Sequence, residues 1–345
     1  MRINKPGEKS TYLQSPGKLK PKEYFNVLNT SKSNGEDSGY HVTFRITEAC
    51  DLECLYCDWN GGKHYKTEDI LKSLDVLFEF FKKENIDKVA FYYHGGEATR
   101  HPDVVKILEY VHLKGIEYKI KAYNEMQTNF TIDIEKLKDI LKFTDLLDIT
   151  FHYTELKNKN KLNNFLNNMN YLKNNNVVIH NFDIMLEYIK SEDDLEEFRN
   201  YVISFLSYKN IMNSEMIYDF GYEYEYNNET ETMHYEFYKK YNKTDQQYEI
   251  DGNIYTTNDL FQLGADFTNW WCAAGKEKIY VNGNGDVYQC GIAMTNGIHN
   301  MEGHKYSNLL FDNKVISKLS ILKKTGTICR WDYKLKRCCD TYFFF

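Results

Sequence analysis

Thr47-Glu48-Ala49-Cys50-Asp51-Leu52-Glu53-Cys54-Leu55-Tyr56-Cys57-Asp58-Trp59 is the stretch on which the reading of this chain turns. Cys50, Cys54 and Cys57 are separated by three and then two residues, close enough for their thiols to converge on one metal centre. Thiolates are the preferred ligands of iron–sulfur clusters and of zinc. A fourth thiolate would shut such a site, whereas three leave one metal corner free for something that is not protein, as a catalytic centre requires. A zinc site, or a set of buried reduced thiols, is the other reading of the same spacing.

Working outward, His41-Val42-Thr43-Phe44-Arg45-Ile46 alternates like a strand and delivers the cysteine loop at its C-terminal end. Downstream, Ile70, Leu71, Leu74, Leu77, Phe78 and Phe81 recur at helical spacing, and Lys88-Val89-Ala90-Phe91-Tyr92-Tyr93 is the next strand. A helix follows with Pro102 near its first turn. Strands are expected at 117–128, 147–153, 177–187 and 211–219. Amphipathic stretches separate them, such as Leu162, Phe165, Leu166, Met169 and Leu172, or the Ser191-to-Asp194 cap before Leu195, Phe198 and Val202. Six strands alternating with helices make a parallel α/β sheet, whose ligands sit at the C-terminal ends of the strands.

Those strand ends carry the chemistry. His94-Gly95-Gly96-Glu97 closes the second strand; two glycines let the backbone pass close to a ligand, and the carboxylate can accept hydrogen bonds from an ammonium group. Gln127-Thr128-Asn129 ends the third strand, His152 and Tyr153 the fourth, and Glu187 the fifth, all expected to point into the mouth. Each alone is equally a satisfied polar residue at a strand end. A second thiol group, Cys272, Cys290, Cys329, Cys338 and Cys339, lies in the last quarter of the chain. Lys278-Ile279-Tyr280-Val281 and Asp286-Val287-Tyr288-Gln289 flank Asn282-Gly283-Asn284-Gly285, a hairpin signal that is expected to bring Cys272 and Cys290 together. Two thiol groups imply two metal sites.

The C-x-x-x-C-x-x-C run with an aromatic before its third cysteine, followed one βα unit later by Gly-Gly-Glu, resembles the signature of the radical S-adenosylmethionine enzymes. The resemblance implies a partial (β/α)6 TIM-type barrel over 41–220, after a lead-in segment 1–40 that reads as mostly irregular. A bridging region 221–265 and a small α+β twitch-like cluster domain with a β-hairpin, 266–345, follow. It implies that Cys50, Cys54 and Cys57 hold a 4Fe-4S cluster whose fourth iron binds S-adenosyl-L-methionine. Tyr56 becomes the aromatic beside the adenine. Gly95, Gly96 and Glu97, with Ala98 in place of the usual proline, bind the methionine amino group, and Thr128, Asn129, His152 and Glu187 stand where ribose and substrate contacts are made.

The twelve residues between Cys272 and Gly285 and the four before Cys290 resemble the opening of SPASM and twitch domains, which hold auxiliary 4Fe-4S clusters. Cys329 and Cys338 keep that pattern's outer spacing, while Asp332 and Tyr342 stand where further cysteines would be. One auxiliary cluster is therefore expected, on Cys272, Cys290 and two of Cys329, Cys338 and Cys339, with zinc as the alternative. The family cleaves S-adenosylmethionine to a 5'-deoxyadenosyl radical that abstracts a hydrogen atom. A peptide or protein substrate, crosslinked, epimerised or oxidised, is the favoured expectation, with an electron donor such as flavodoxin or ferredoxin. A dehydrogenase or related enzyme of a carbohydrate or other small metabolite is the alternative, and a non-catalytic iron–sulfur or zinc protein the third.

Composition is consistent with this. The 345 residues are 42% hydrophobic and 16% aromatic, with 29 Tyr and 21 Phe against 4 Pro, which suits a packed body. A net charge of -7 argues against nucleic acid as the main partner. Met1 to Tyr24 holds no apolar run for a signal peptide or membrane span, so the expected location is cytoplasmic, where thiols stay reduced. The acidic, aromatic tract 222–229 reads as a solvated loop and helix start.

Overall fold

The computed structural model describes residues 26–29, 39–54, 57, 62–186, 189, 191–218, 247–250, 253–256, 271–272, 275–276, 278–289, 305–325 and 327–328. In chain order its strands are β1 (Asn26–Asn29), β2 (Tyr40–Arg45), β3 (Lys88–His94), β4 (Lys121–Thr128), β5 (Leu146–Phe151), β6 (Ile179–Leu186) and β7 (Ile211–Tyr218). They continue as β8 (Gln247–Ile250), β9 (Asn253–Thr256), β10 (Trp271–Cys272), β11 (Lys278–Asn282), β12 (Asp286–Tyr288), β13 (Ser307–Asn308) and β14 (Thr327–Ile328). The helices are α1 (Thr67–Lys83), α2 (Val104–Tyr118), α3 (Ile134–Leu141), α4 (Tyr153–Asn158), α5 (Leu162–Asn174), α6 (Glu192–Leu206) and α7 (Val315–Thr325).

Strands β2 to β7 pair parallel in chain order, the parallel sheet that the alternation of elements predicts and the partial barrel that the resemblance implies. Helices cover one face because the apolar residues of each strand alternate with polar ones. On that face Phe78 of α1 stacks on Phe91 at 5.8 Å, and Phe151 lies 5.0 Å from Phe165 of α5 and 5.1 Å from Phe205 of α6. Ile70, Leu74, Leu77, Phe78 and Phe81 of α1 are fully buried, and each such side chain contributes about 1.5–3 kcal/mol through burial. The Ser191 side chain caps α6 by accepting from the Asp194 N–H at 3.1 Å, as its sequence suggests.

The C-terminal hairpin does something the sequence does not announce. β11 adds to the free side of β2 in parallel, Lys278 opposite His41 and Asn282 opposite Arg45, and β12 and β13 continue the sheet antiparallel. The full order is β13-β12-β11-β2-β3-β4-β5-β6-β7. Ile279 and Val281 are buried, and α7 packs on α1. Parallel register therefore sets Tyr280, Thr43, Tyr92 and Glu125 in one row on the face opposite the helices, the inner face of the barrel.

Three expectations change. Residues 117–120 close α2 rather than open β4: Lys119 turns the chain at φ 57 and the Ile120 N–H donates to Gly115 O at 2.9 Å, a left-handed C-terminal cap. Ile116 and Tyr118, which alternate like strand residues, belong to its last turn. Tyr153 begins α4 instead of ending β5, and its hydroxyl donates to Glu197 of α6 at 2.5 Å, away from the mouth. The lead-in contains β1, which pairs antiparallel with β8 of the β8–β9 hairpin.

Candidate active site

Past β2 the chain leaves the sheet at Thr47 and returns at Tyr65, and the two sides are stitched together. The Glu48 N–H donates to Lys63 O at 3.0 Å and the Tyr65 N–H to Ile46 O at 3.3 Å. Thr47 Oγ1 lies 2.8 Å from His64 Nδ1, and the Tyr65 hydroxyl donates to Glu48 Oε1 at 2.5 Å. The three cysteines ride on this closed excursion at the C-terminal end of β2. Cys54 is buried, and Cys50 and Cys57 are half-buried. The Cys57 N–H donates to Cys54 O at 2.9 Å, turning the segment back on itself.

Burial, with Glu97, Asp51 and Cys57 nearby, pushes the Cys50 thiol up to about 12. A thiol so surrounded ionises when a cation is supplied to it, and a coordinating metal does that outright. Three soft donors on one stapled loop, with the Cys50 thiol held protonated by its surroundings, fit a thiolate-ligated cluster.

The glycine pair builds the neighbouring wall. Gly95 and Gly96 sit at φ 89 and 53, the left-handed region, and a Cβ on Gly96 would stand 2.5 Å from Ala49 O. Without it, the Glu97 N–H reaches Ala49 O at 2.8 Å, so the end of β3 lies directly on the cysteine loop. The Glu97 carboxylate is buried and accepts four hydrogen bonds. The Thr99 N–H, Thr99 hydroxyl and Thr128 hydroxyl donate to Oε1 at 3.1, 2.5 and 2.8 Å, and the Asn129 N–H donates to Oε2 at 2.6 Å. Burial raises its pKa, and those hydrogen bonds limit the rise. Three of these bonds fall on Oε1 and one on Oε2, so Glu97 ties the ends of β3 and β4 together while Oε2 keeps a lone pair for a further donor such as an ammonium group.

Asn129 links the same elements to the cysteines: its Nδ2 donates to Asp51 Oδ1 at 2.9 Å and lies 3.9 Å from Cys50 Sγ. The Thr131 hydroxyl donates to Asp51 Oδ2 at 2.7 Å. Burial opposes ionisation of Asp51, yet the Asn129 and Thr131 hydrogen bonds and Lys161 hold its carboxyl below the usual range. His152 Nδ1 stands 3.7 Å from Cys54 Sγ, its pKa lowered to about 4 by burial, so the ring is neutral. Cys50, Cys54, Cys57, Gly95, Gly96, Glu97, Thr128, Asn129 and His152 thus converge on one end of the barrel. Tyr56, Glu187, Cys290, Cys329, Cys338 and Cys339 lie outside the described residues. Cys272 is in β10, paired with β14, the strand that ends one residue before Cys329 in sequence.

No family model and no curated protein matches the chain. Solved structures do. SuiB from Streptococcus suis bound to S-adenosylmethionine superposes with a TM-score of 0.51 at 14% identity, over 83% of this chain and 64% of that one. anSMEcpe with bound AdoMet gives 0.52 at 15%, over 81% and 79%. This chain therefore shares the fold of SuiB and anSMEcpe. SuiB bound to its precursor peptide SuiA matches at 0.51 and 13%, over 86% of this chain and 68% of that one. At 64%, this chain spans less than two thirds of the length of the S-adenosylmethionine-bound SuiB chain.

Within this fold, sequence reasoning misses Asp51, Thr99 and Thr131, which carry no spacing signal and are found only through their contacts. It also misses a second cluster on the inner wall. His180 Nδ1 lies 3.0 Å from Asp148 Oδ1 and 3.8 Å from Glu125 Oε1. Burial and Asp148 push Glu125 up to about 8, while the hydrogen bond with Asp148 raises His180. A sequence signal exists here: Lys121, Tyr123, Glu125 and Gln127 alternate through a central parallel strand, where both faces are ordinarily apolar.

Proposed function

We propose that this chain is a radical S-adenosylmethionine enzyme, with Cys50, Cys54 and Cys57 holding a 4Fe-4S cluster at the mouth of the barrel. The observation that carries this is the loop bearing three thiols and seated on Gly95, Gly96 and Glu97, which would hold a cluster by three of its irons. When bound and reduced, the cluster and S-adenosylmethionine supply a 5'-deoxyadenosyl radical. The residues of this chain do the rest. Asn129 and Asp51 fix the Cys50 arm of the loop, neutral His152 borders Cys54, and the glycines leave backbone accessible beside the thiols. Fold similarity to SuiB and anSMEcpe, whose structures contain S-adenosylmethionine, supports the cofactor assignment.

Cys272, Cys290 and two of Cys329, Cys338 and Cys339 hold an auxiliary 4Fe-4S cluster on this reading, and reducing equivalents come from a flavodoxin- or ferredoxin-class donor. A peptide or protein is the proposed substrate, supported by the fold shared with SuiB, which has been seen with a precursor peptide. Anaerobic reconstitution followed by an iron count tests the assignment: about eight irons per chain are expected from two clusters. Stoichiometric zinc with little iron overturns it.

A further inference from the structure

The interior of a TIM-type barrel is ordinarily filled by layers of Val, Ile and Leu. Here the inner face carries Lys278 and Tyr280 of β11, Thr43 and Arg45 of β2, Tyr92 and His94 of β3, Glu125 and Gln127 of β4, and Asp148 of β5. A wall this polar does not pack against itself. Opposite charges are segregated along it, with Lys278 and Arg45 on one side and the two carboxyl groups on the other. The side chains of Glu125, Asp148 and His180 are 13%, 6% and 17% exposed. Two nearly buried carboxyl groups thus share a single imidazole, with Lys278 as the further positive charge facing Glu125.

A separate observation points to a ligand. Thr43, in the same row as Tyr92 and Glu125, is 1% exposed, and its hydroxyl has no hydrogen-bond partner among the described residues. His94 Nε2, one inward position further along β3, is likewise buried and without one. Buried polar atoms ordinarily find partners, so two unpartnered ones on one inner face call for a group the protein does not itself provide.

We propose that Glu125 and Asp148 are a substrate-recognition site for a primary ammonium group, with His180 as its adjustable counter-charge and Thr43 and His94 as hydrogen-bonding groups for the polar atoms beside it. This rests on the barrel being the substrate chamber of the proposed enzyme. The ammonium replaces the shared proton and donates to both carboxylates, the charge-assisted pairing that a buried acidic pair favours. A lysine side chain of a peptide and a small amine-bearing metabolite present the same chemistry.

The test is ligand-observed saturation-transfer NMR on the anaerobically reconstituted full chain, with 1-butylamine, 1-butanol, and the acetylated, amidated peptides Gly-Gly-Lys-Gly-Gly and Gly-Gly-norleucine-Gly-Gly as probes. Butylamine is expected to bind about tenfold or more tightly than butanol, and Glu125→Gln or Asp148→Asn, with folding checked by circular dichroism, to remove that preference. A further gain of about tenfold for the lysine peptide assigns the ammonium to a peptide, and equal affinity assigns it to a small amine. Should both variants fail to fold, the wild-type pH series decides. Glu125 faces Tyr92, Asp148, His180 and Lys278, and between about pH 6 and pH 9 deprotonation of Glu125 and His180 strengthens amine binding while leaving butanol unchanged. Equal binding of amine and alcohol at every pH overturns the proposal. So does an equivalent of zinc or manganese present in the wild type and absent from Glu125→Gln, which makes the trio a metal site. Neither result depends on S-adenosylmethionine cleavage, so failure here and failure of the enzymatic assignment are separable.

Discussion

Replacing Gly96 by alanine attacks the joint between the cysteine loop and the end of β3. Gly96 sits at φ 53, and a Cβ there stands 2.5 Å from Ala49 O, 2.6 Å from Glu48 C and 2.7 Å from Glu48 O. All three are backbone atoms of a loop stapled at both ends, so no side chain can swing aside. The left-handed conformation costs a non-glycine residue about 1–2 kcal/mol. Separating the strands enough to relieve the overlap breaks the Glu97-to-Ala49 hydrogen bond, about 1 kcal/mol more. A loss of about 2–3 kcal/mol is expected, read as a lower melting temperature of the reconstituted protein. Because the displaced segment, Glu48–Ala49, ends one residue before Cys50, iron at the first site should fall with it while the second cluster stays. Gly96→Ala with wild-type melting and full iron would show that the two segments do not depend on each other as the distances require.

Three further outcomes follow from particular contacts. Glu97→Gln loses acceptor capacity among four donors, so it should weaken S-adenosylmethionine binding by calorimetry without losing cluster iron and cost about 1–3 kcal/mol of stability; unchanged binding and stability refute its role as the β3–β4 tie. With the first triplet removed, Cys272→Ala, Cys290→Ala and Cys329→Ala should each lose the second cluster by iron count and electron paramagnetic resonance, but only one of Cys338→Ala and Cys339→Ala should. Neighbouring side chains in an extended backbone diverge, and loss in both tail variants with retention in Cys329→Ala contradicts the ligand set. Burial and Asp148 hold Glu125 at about 8. Its unfolded value is about 4.3, so folding favours its protonated form and native stability declines as pH rises across that interval. Glu125→Gln, neutral throughout, should therefore melt higher relative to wild type at about pH 9 than at about pH 5, and an equal difference at both would place the carboxyl in a different environment.

Much of the barrel is legible in the sequence, because apolar and polar residues alternate along the β2-to-β7 strands and each helix carries a 3.6-residue stripe. The misreadings are local. Residues 117–120 look like a strand because Ile116, Tyr118 and Ile120 alternate, and only the cap at Lys119 reveals the helix end. Tyr153 looks like a strand terminus until its hydroxyl is seen on Glu197. The cysteine loop and Gly-Gly-Glu are legible because the chemistry demands fixed residue types at fixed spacing. Asp51 and Thr131 are not, since they meet partners 78 and 80 residues away only through the fold; the alternation through β4 marks Glu125, but its grouping with Asp148 and with His180, 32 residues beyond Asp148, is visible only in the fold. The addition of β11 to β2 is hidden for the same reason: hairpin propensity is local, whereas a parallel pairing between chain segments this far apart has no short-range signature.

The most direct measurement of the central claim is chromatography of the dithionite-reduced, anaerobically reconstituted protein incubated with S-adenosylmethionine. Formation of 5'-deoxyadenosine and methionine, abolished when Cys50, Cys54 and Cys57 are replaced together by alanine and with the iron content roughly halved, is the predicted result. Iron-replete protein that forms no 5'-deoxyadenosine under reduction, or that forms as much without the three cysteines, contradicts it.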